Sequence, residues 1–246
     1  MYEKHFGLRH RPYRPTPDID SYYPATTHEN ALTQLLQAVS DNEGLMLLMG
    51  DAGTGKTLVG HRLLERLDES AATALITNGR VGDAVGLLQA VLYEYALPFA
   101  GRSPQEMRLA LTDHLLQSYA AGKRNVLVLD EAQHLGPDVL EELRLLGNLE
   151  AGDGKAVQFV LVAHEGIWQS LNQPELSAVR QRLAVPARLQ PLDIHESADY
   201  LVHHLRAVGG RPEAVFTDEA LALLAKGAQG IPRLLNQAGH QALILA

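Results

Sequence analysis

Gly50-Asp51-Ala52-Gly53-Thr54-Gly55-Lys56-Thr57, preceded by the apolar run Leu45-Met46-Leu47-Leu48-Met49, is the stretch on which the reading of this chain turns. The eight residues fit G-x-x-x-x-G-K-[S/T], and they lie after a strand-like run and before a stretch with helical spacing, where the motif has its mechanical meaning. Glycines let the backbone turn tightly, so that successive N–H groups point inward at phosphate oxygens. The helix that follows presents its positive end to the same anion. In this reading Lys56 reaches the β- and γ-phosphates of a nucleotide, and Thr57 places its hydroxyl on a Mg²⁺ ion that bridges them. The expected cradle comprises Gly50, Asp51, Ala52, Gly53, Thr54, Gly55, Lys56, Thr57 and Leu58.

Outward from the loop, short apolar runs alternate with helical spacing. Strands are predicted near 45–49, 73–77, 125–129, 157–163 and 185–189, and helices near 56–68, 82–96, 105–121, 137–149 and 173–182. Runs this short and this apolar suit strands buried on both faces of a parallel sheet. After Pro191 the pattern changes to three amphipathic stretches, 193–208, 217–227 and 231–245, separated by Gly209-Gly210-Arg211-Pro212 and Gly230-Ile231-Pro232, with Thr217 as an N-cap. Thr26-Thr27-His28-Glu29 has the spacing of a capping box opening a helix to about Ser40. The predicted organisation is a nucleotide-binding core over 1–192, including an N-terminal clasp over 1–43, and a helical lid over 193–246.

The predicted strand Asn125-Val126-Leu127-Val128-Leu129 ends in Asp130-Glu131. Acids at the tip of a parallel strand stand where the sheet meets bound phosphate. Asp130 is expected in the shell of the Mg²⁺ ion, and Glu131 to orient and partly deprotonate an attacking water. Two adjacent acids beside a polyphosphate repel it unless a cation intervenes, which makes metal dependence part of the reading.

Composition bounds the alternatives. The 246 residues are 46% hydrophobic and 20% charged, as in an ordinary folded chain. Without cysteine there are no disulfides, thiolate metal sites or cysteine nucleophiles. Lys and Arg number 21 against 29 Asp and Glu, a formal charge of -8, so any DNA binding has to come from a local patch. Neither a signal-peptide core in the first fifteen residues nor an apolar run of bilayer length is present, and the expected setting is cytoplasmic without a membrane span. The eleven histidines include adjacent His203 and His204, which point about 100° apart on a helix and do not chelate together. Trp168 is expected in packing. Lys4, Arg9, Arg11 and Arg14, with Tyr2, Phe6 and Tyr13 interleaved, suit either a nucleic-acid arm or a clasp over the adenine side of the nucleotide assisted by Tyr22 or Tyr23.

Taken together the chain resembles the AAA+ ATPases, and more narrowly the ExeA/GspA-like (general secretion pathway protein A and TnsC-like) group. The resemblance is carried by Met1-Tyr2 with Phe6-Gly7-Leu8, Tyr22-Tyr23-Pro24, Glu29-Asn30-Ala31-Leu32, the phosphate loop and Asp130-Glu131-Ala132-Gln133. It continues through Gln181-Arg182-Leu183, Leu189-Gln190-Pro191-Leu192, Tyr200-Leu201-Val202-His203-His204-Leu205, and Gly230-Ile231-Pro232-Arg233 with Asn236. It implies an α/β P-loop NTPase with a five-stranded parallel sheet and a small C-terminal helical lid.

By that likeness Arg233 corresponds to the sensor-2 arginine that contacts the γ-phosphate. Arg180 and Arg182 stand where such proteins carry an arginine finger acting on a neighbour's nucleotide, and either could fill the role. The group tends to have G-Q-P-E-L after its fourth strand, whereas Ala163-His164-Glu165-Gly166-Ile167 stands here. His164 takes the glutamine's place as sensor 1, which bears on hydrolysis more than on binding. The resemblance also implies ATP in preference to GTP, Mg²⁺, homo-oligomers, and coupling to a protein partner or to DNA. The expected function is Mg²⁺-dependent ATP hydrolysis by a conformational switch or motor. The alternative is an ATP-gated DNA-binding adaptor whose assembly on DNA is the output.

Overall fold

The computed structural model describes residues 2–16, 19–67, 71–77, 81–152, 154–184 and 186–246. The chain separates into two compact units, one of residues 31–50 and 59–188, the other of residues 1–30, 51–58 and 189–246.

The first unit is built on a five-stranded sheet. Its strands β1 (Leu45–Gly50), β2 (Ala71–Ile76), β3 (Arg124–Leu129), β6 (Gln158–Ala163) and β7 (Ala187–Leu189) lie in the order β2-β3-β6-β1-β7, and Glu150–Ala151 (β4) with Gly154–Lys155 (β5) form a separate hairpin. The pairings β1–β6, β3–β6 and β2–β3 are parallel. β1 and β6 are buried along their whole length, and β3 from its second residue. That is why their sequences are continuous apolar runs and not alternating ones. Leu87, Leu88, Val91 and Leu92 pack with Leu111, Leu115, Leu140, Leu143 and Phe159 in one core against the sheet. Trp168 packs against the same core.

The helices Ala84–Glu94, Pro104–Ala120 and Pro137–Gly147 match the predicted ones within a few residues. Asp83 caps the first through the Gly86 N–H, and Ser103 with Glu106 closes a full capping box on the second. Gly147 ends the third helix against Gly44, where a Cβ on Gly44 would stand 2.6 Å from the Gly147 carbonyl oxygen. The predicted helix 173–182 is in two parts. A 3₁₀ turn, Pro174–Leu176, closed by Leu176 N–H on the Gln173 carbonyl, precedes the helix Ser177–Arg182. A further helix, Ile167–Leu171, was not foreseen. Of the predicted strand 185–189, Val185 lies outside the described residues, as does Met1 of the N-terminal motif.

In the second unit the helices Ile194–Ala207, Asp218–Ala228 and Pro232–Leu245 follow the three amphipathic stretches, with a 3₁₀ turn at Pro212–Ala214. Asp193 and Glu196 cap the first reciprocally, and the Thr217 hydroxyl accepts from the Ala220 N–H at the head of the second. The N-terminal segment belongs to this unit. Tyr2, Leu8 and Tyr13 are buried with Leu201, Leu205, Leu235 and Leu243. Tyr13 donates to the Leu201 carbonyl at 2.9 Å, the Tyr2 hydroxyl meets His240 Nδ1 at 2.8 Å, and Arg9 donates to the Ala207 carbonyl. Tyr2 and Tyr13 are thereby committed to packing and are not free to stack on bases.

The helix Thr26–Ser40 begins where expected, but not on the expected capping box. Ala25 already supplies the first helical carbonyl, to Glu29 N–H, so Thr26 lies inside the helix and its own N–H is satisfied by the Glu196 carboxylate at 2.8 Å. Thr27 Oγ1 accepts instead from Gln190 N–H, and Glu29 from the Tyr22 hydroxyl.

Candidate functional site

The loop after β1 closes on one carbonyl. Asp51 O accepts from Thr54 N–H at 3.4 Å, from Thr54 Oγ1 at 2.8 Å and from Lys56 Nζ at 2.9 Å. Gly53 and Gly55 have φ of +85° and +98°, a region that side chains rarely adopt. The helix Lys56–Arg66 then starts with Lys56, Thr57 and Leu58 half-buried, while Asp51 and Ala52 are exposed. Positive φ next to right-handed residues is the backbone habit of loops whose N–H groups bind anions.

Two neighbours brace this loop. Arg233, exposed at the start of the last helix, donates its backbone N–H to Gly53 O at 3.2 Å, and a Cβ on Gly53 would stand 2.8 Å from Arg233 Cβ. Arg233 is thus beside the phosphate loop. His28 was missed by the sequence reading, which used it only to count a capping box. Its Nε2 lies 2.8 Å from the Thr54 carbonyl, and a Cβ on Gly55 would stand 2.8 Å from that nitrogen. Since a carbonyl only accepts, Nε2 carries the proton. His28 Nδ1 is buried without a hydrogen-bond partner. Burial pushes the imidazole below its ordinary pKa, opposed in part by the bond to Thr54 and by the Glu196 and Glu29 carboxylates.

The acids lie in the sheet unit. Met49 pairs with Ala163 and Leu129 with Leu161, so Gly50 ends β1 while Asp130 and His164 follow the carboxyl ends of the parallel strands β3 and β6. Asp130 is buried; its N–H bonds to Ile76 O and its Oδ1 accepts from Glu131 N–H at 2.8 Å. Glu131 is exposed, with φ +54° and ψ +35°, and it opens a 3₁₀ turn, Ala132–His134. Gln133 Nε2 donates to Glu131 Oε2 at 2.5 Å, and Gln133 Oε1 accepts from His164 N–H at 3.2 Å. His134 Nε2 stands 4.0 Å from the same Glu131 oxygen. The His164 ring turns to its own loop, where Nδ1 accepts from Gly166 N–H at 2.9 Å.

Arg180 and Arg182 are exposed at the end of the helix Ser177–Arg182, and Arg180 donates to Asn172 Oδ1 at 3.0 Å. Arg182 lines a small cleft with Gly44, Leu45, Asn148 and Lys155, beside the first residue of β1 and therefore at the opposite end of that strand from Gly50.

The Thr57 hydroxyl at the head of a helix and the buried Asp130 carboxylate at a strand tip are each hard oxygen donors of the kind Mg²⁺ takes. Among the described residues, no three His, Asp or Glu side chains come together to hold a metal on their own.

A family model described as an AAA domain matches residues 39–171. General secretion pathway protein A of Aeromonas hydrophila is 39% identical over 247 residues, covering 100% of this chain and 45% of that protein. The chain therefore spans less than half the length of this curated relative. Among solved structures, Cdc6p of Pyrobaculum aerophilum superposes with a TM-score of 0.71 at 22% identity, over 92% of this chain and 62% of that one. The Aeropyrum pernix ORC1 protein, solved in complex with DNA, gives 0.68 at 20% identity over 96% and 65%.

Proposed function

This chain belongs to the AAA domain family, and from that premise we propose a Mg²⁺-dependent ATPase that acts as a conformational switch or motor for a partner machinery. The fold is that of the AAA+ P-loop NTPases, a five-stranded α/β sheet with helices. The observation that carries the reading is the conjunction of a phosphate loop with positive φ at both Gly53 and Gly55 and a buried Asp130 followed by an exposed Glu131 at the carboxyl end of a parallel sheet.

In this account Gly50 to Leu58 wrap the phosphates, and Lys56 offsets charge on the β- and γ-oxygens. Thr57 and Asp130 are the residues that would hold Mg²⁺, which would supply positive charge against the developing phosphate charge. Glu131 takes a proton from the attacking water as its oxygen bonds to the γ-phosphorus and the bond to the β-bridging oxygen breaks, leaving ADP and phosphate. Arg233, bonded through its backbone to Gly53, is read as sensor 2 for the γ-phosphate, and His164 as sensor 1. Residues 193–246 act as the lid. β1 puts roughly 17 Å between Leu45, beside Arg182, and Gly50. That separation favours action on a neighbouring copy's nucleotide and hence a homo-oligomer, with Arg180 or Arg182 as the finger. Among the described residues no helix is long and apolar enough to cross a membrane.

Mg²⁺-dependent ATP turnover measured across protein concentrations, with and without duplex DNA, tests the reading. Wild-type turnover should require Mg²⁺ and rise more steeply than in proportion to concentration, and Lys56→Ala should abolish it. Turnover that persists undiminished in Lys56→Ala would overturn the assignment. The Aeropyrum pernix ORC1 protein, similar in fold, was solved in complex with DNA, and a second reading to be tested here is an ATP-gated adaptor assembling on DNA. DNA-stimulated, salt-sensitive turnover would select the adaptor, and indifference to DNA would select a protein partner.

A further inference from the structure

Glu131 stands in a left-handed backbone conformation that an ordinary side chain adopts at a cost, and it does so as the first residue of a turn that returns Gln133 to its own carboxylate. The Gln133 amide is fully determined by what it faces. A carboxylate only accepts and a backbone N–H only donates, so the NH₂ group lies on Glu131 and the oxygen on His164 N–H. The half-buried side chain thus ties the carboxylate after β3 to the first residue of the loop after β6. Among the described residues nothing comparable comes from the other neighbours. His134 stands at 4.0 Å from Glu131, and Asp130 Oδ1 is bonded to the Glu131 backbone and not to its side chain.

We propose that Gln133 is a positioning residue: its amide fixes the rotamer of the Glu131 carboxylate and couples it to the His164 loop, so that base and sensor loop are set as one piece. This rests on the reading of Glu131 as the base. A carboxylate on an exposed turn samples many rotamers, and a misplacement of about 1 Å can cost on the order of a hundredfold in rate. Gln133 removes that freedom with one charge-assisted bond, and its other end anchors on a backbone group that side-chain motion does not displace. The role acts on the chemical step and not on nucleotide affinity.

Three variants at Gln133, with Glu131→Gln alone as the reference, test it by steady-state ATP turnover and by equilibrium binding of fluorescent ATP. Gln133→Ala should lower kcat about tenfold with KM and nucleotide affinity within about twofold of wild type. Gln133→Glu keeps the size and the acceptor for His164 N–H but sets a carboxylate against a carboxylate, so it should lose at least as much kcat as Gln133→Ala. Adding Gln133→Ala to Glu131→Gln should cost nothing further, because Gln133 acts only through the glutamate. Wild-type kcat in Gln133→Ala, while Glu131→Gln alone is slowed a hundredfold, would overturn this proposal and leave the base assignment standing. A loss in the double variant that adds to that of Glu131→Gln would overturn it too, since Gln133 would then act elsewhere. Unaltered turnover in Glu131→Gln would overturn the base reading and this proposal with it.

Discussion

His28 places an ionisable group against the phosphate loop and has nowhere to put a second proton. Nε2–H is committed to the Thr54 carbonyl, and Nδ1 is buried without a partner. The groups facing the ring are the Tyr22 ring and the carboxylates of Glu29 and Glu196, and burial outweighs the two acids in setting a lowered pKa. An unfolded histidine takes up its proton near pH 6.5, so between the unfolded and folded pKa values the unfolded chain binds more protons. The stability tied to neutral His28 is therefore present above that pH and lost as pH falls through the folded pKa. His28→Gln retains an N–H at the Nε2 position and cannot titrate. Its unfolding midpoint should fall less than the wild-type one between about pH 7.5 and about pH 5.5. Burial lowers the pKa of His114 and His240 as well, and they contribute alike to both proteins, so the difference isolates His28. Equal acid losses in the two would place the sensitivity elsewhere.

At the scale of elements, Gly230 joins the helices Asp218–Ala228 and Pro232–Leu245 with φ +71°, and a Cβ there would stand 2.0 Å from the Leu192 carbonyl oxygen. That atom is backbone, so it cannot swing aside. Gly230→Ala should cost more than about 2 kcal/mol in denaturant unfolding, from the left-handed conformation and the overlap together. A loss below about 0.5 kcal/mol would contradict the packing described. The long elements were legible because burial on both faces leaves uninterrupted apolar runs in β1, β3 and β6, and amphipathic helices keep a 3.6-residue rhythm. Ile167–Leu171 is too short to show a rhythm, and the 3₁₀ turn at Pro174–Leu176 was absorbed into the helix beyond it. In the candidate site, the phosphate loop and Asp130-Glu131 could be read because their residues are consecutive. His28 and Gln133 could not. One acts on a loop 26 residues away, and the other had been quoted only as a letter of a motif, with its partner His164 on another strand's loop.

For the whole molecule, a formal charge of -8 and an N-terminal segment whose aromatic rings are packed inward argue against a broad nucleic-acid face. The family and the fold make nucleotide the first ligand to examine, and the partner follows from how turnover depends on assembly. The central claim is that Glu131 activates water for ATP hydrolysis while binding is done by other residues. Glu131→Gln, assayed side by side for MgATP binding and for turnover, tests that claim most directly. Retained affinity with turnover reduced by a factor on the order of a hundred or more, so that ATP stays bound and uncleaved, is the outcome the account predicts. Turnover at the wild-type rate in that variant would contradict it.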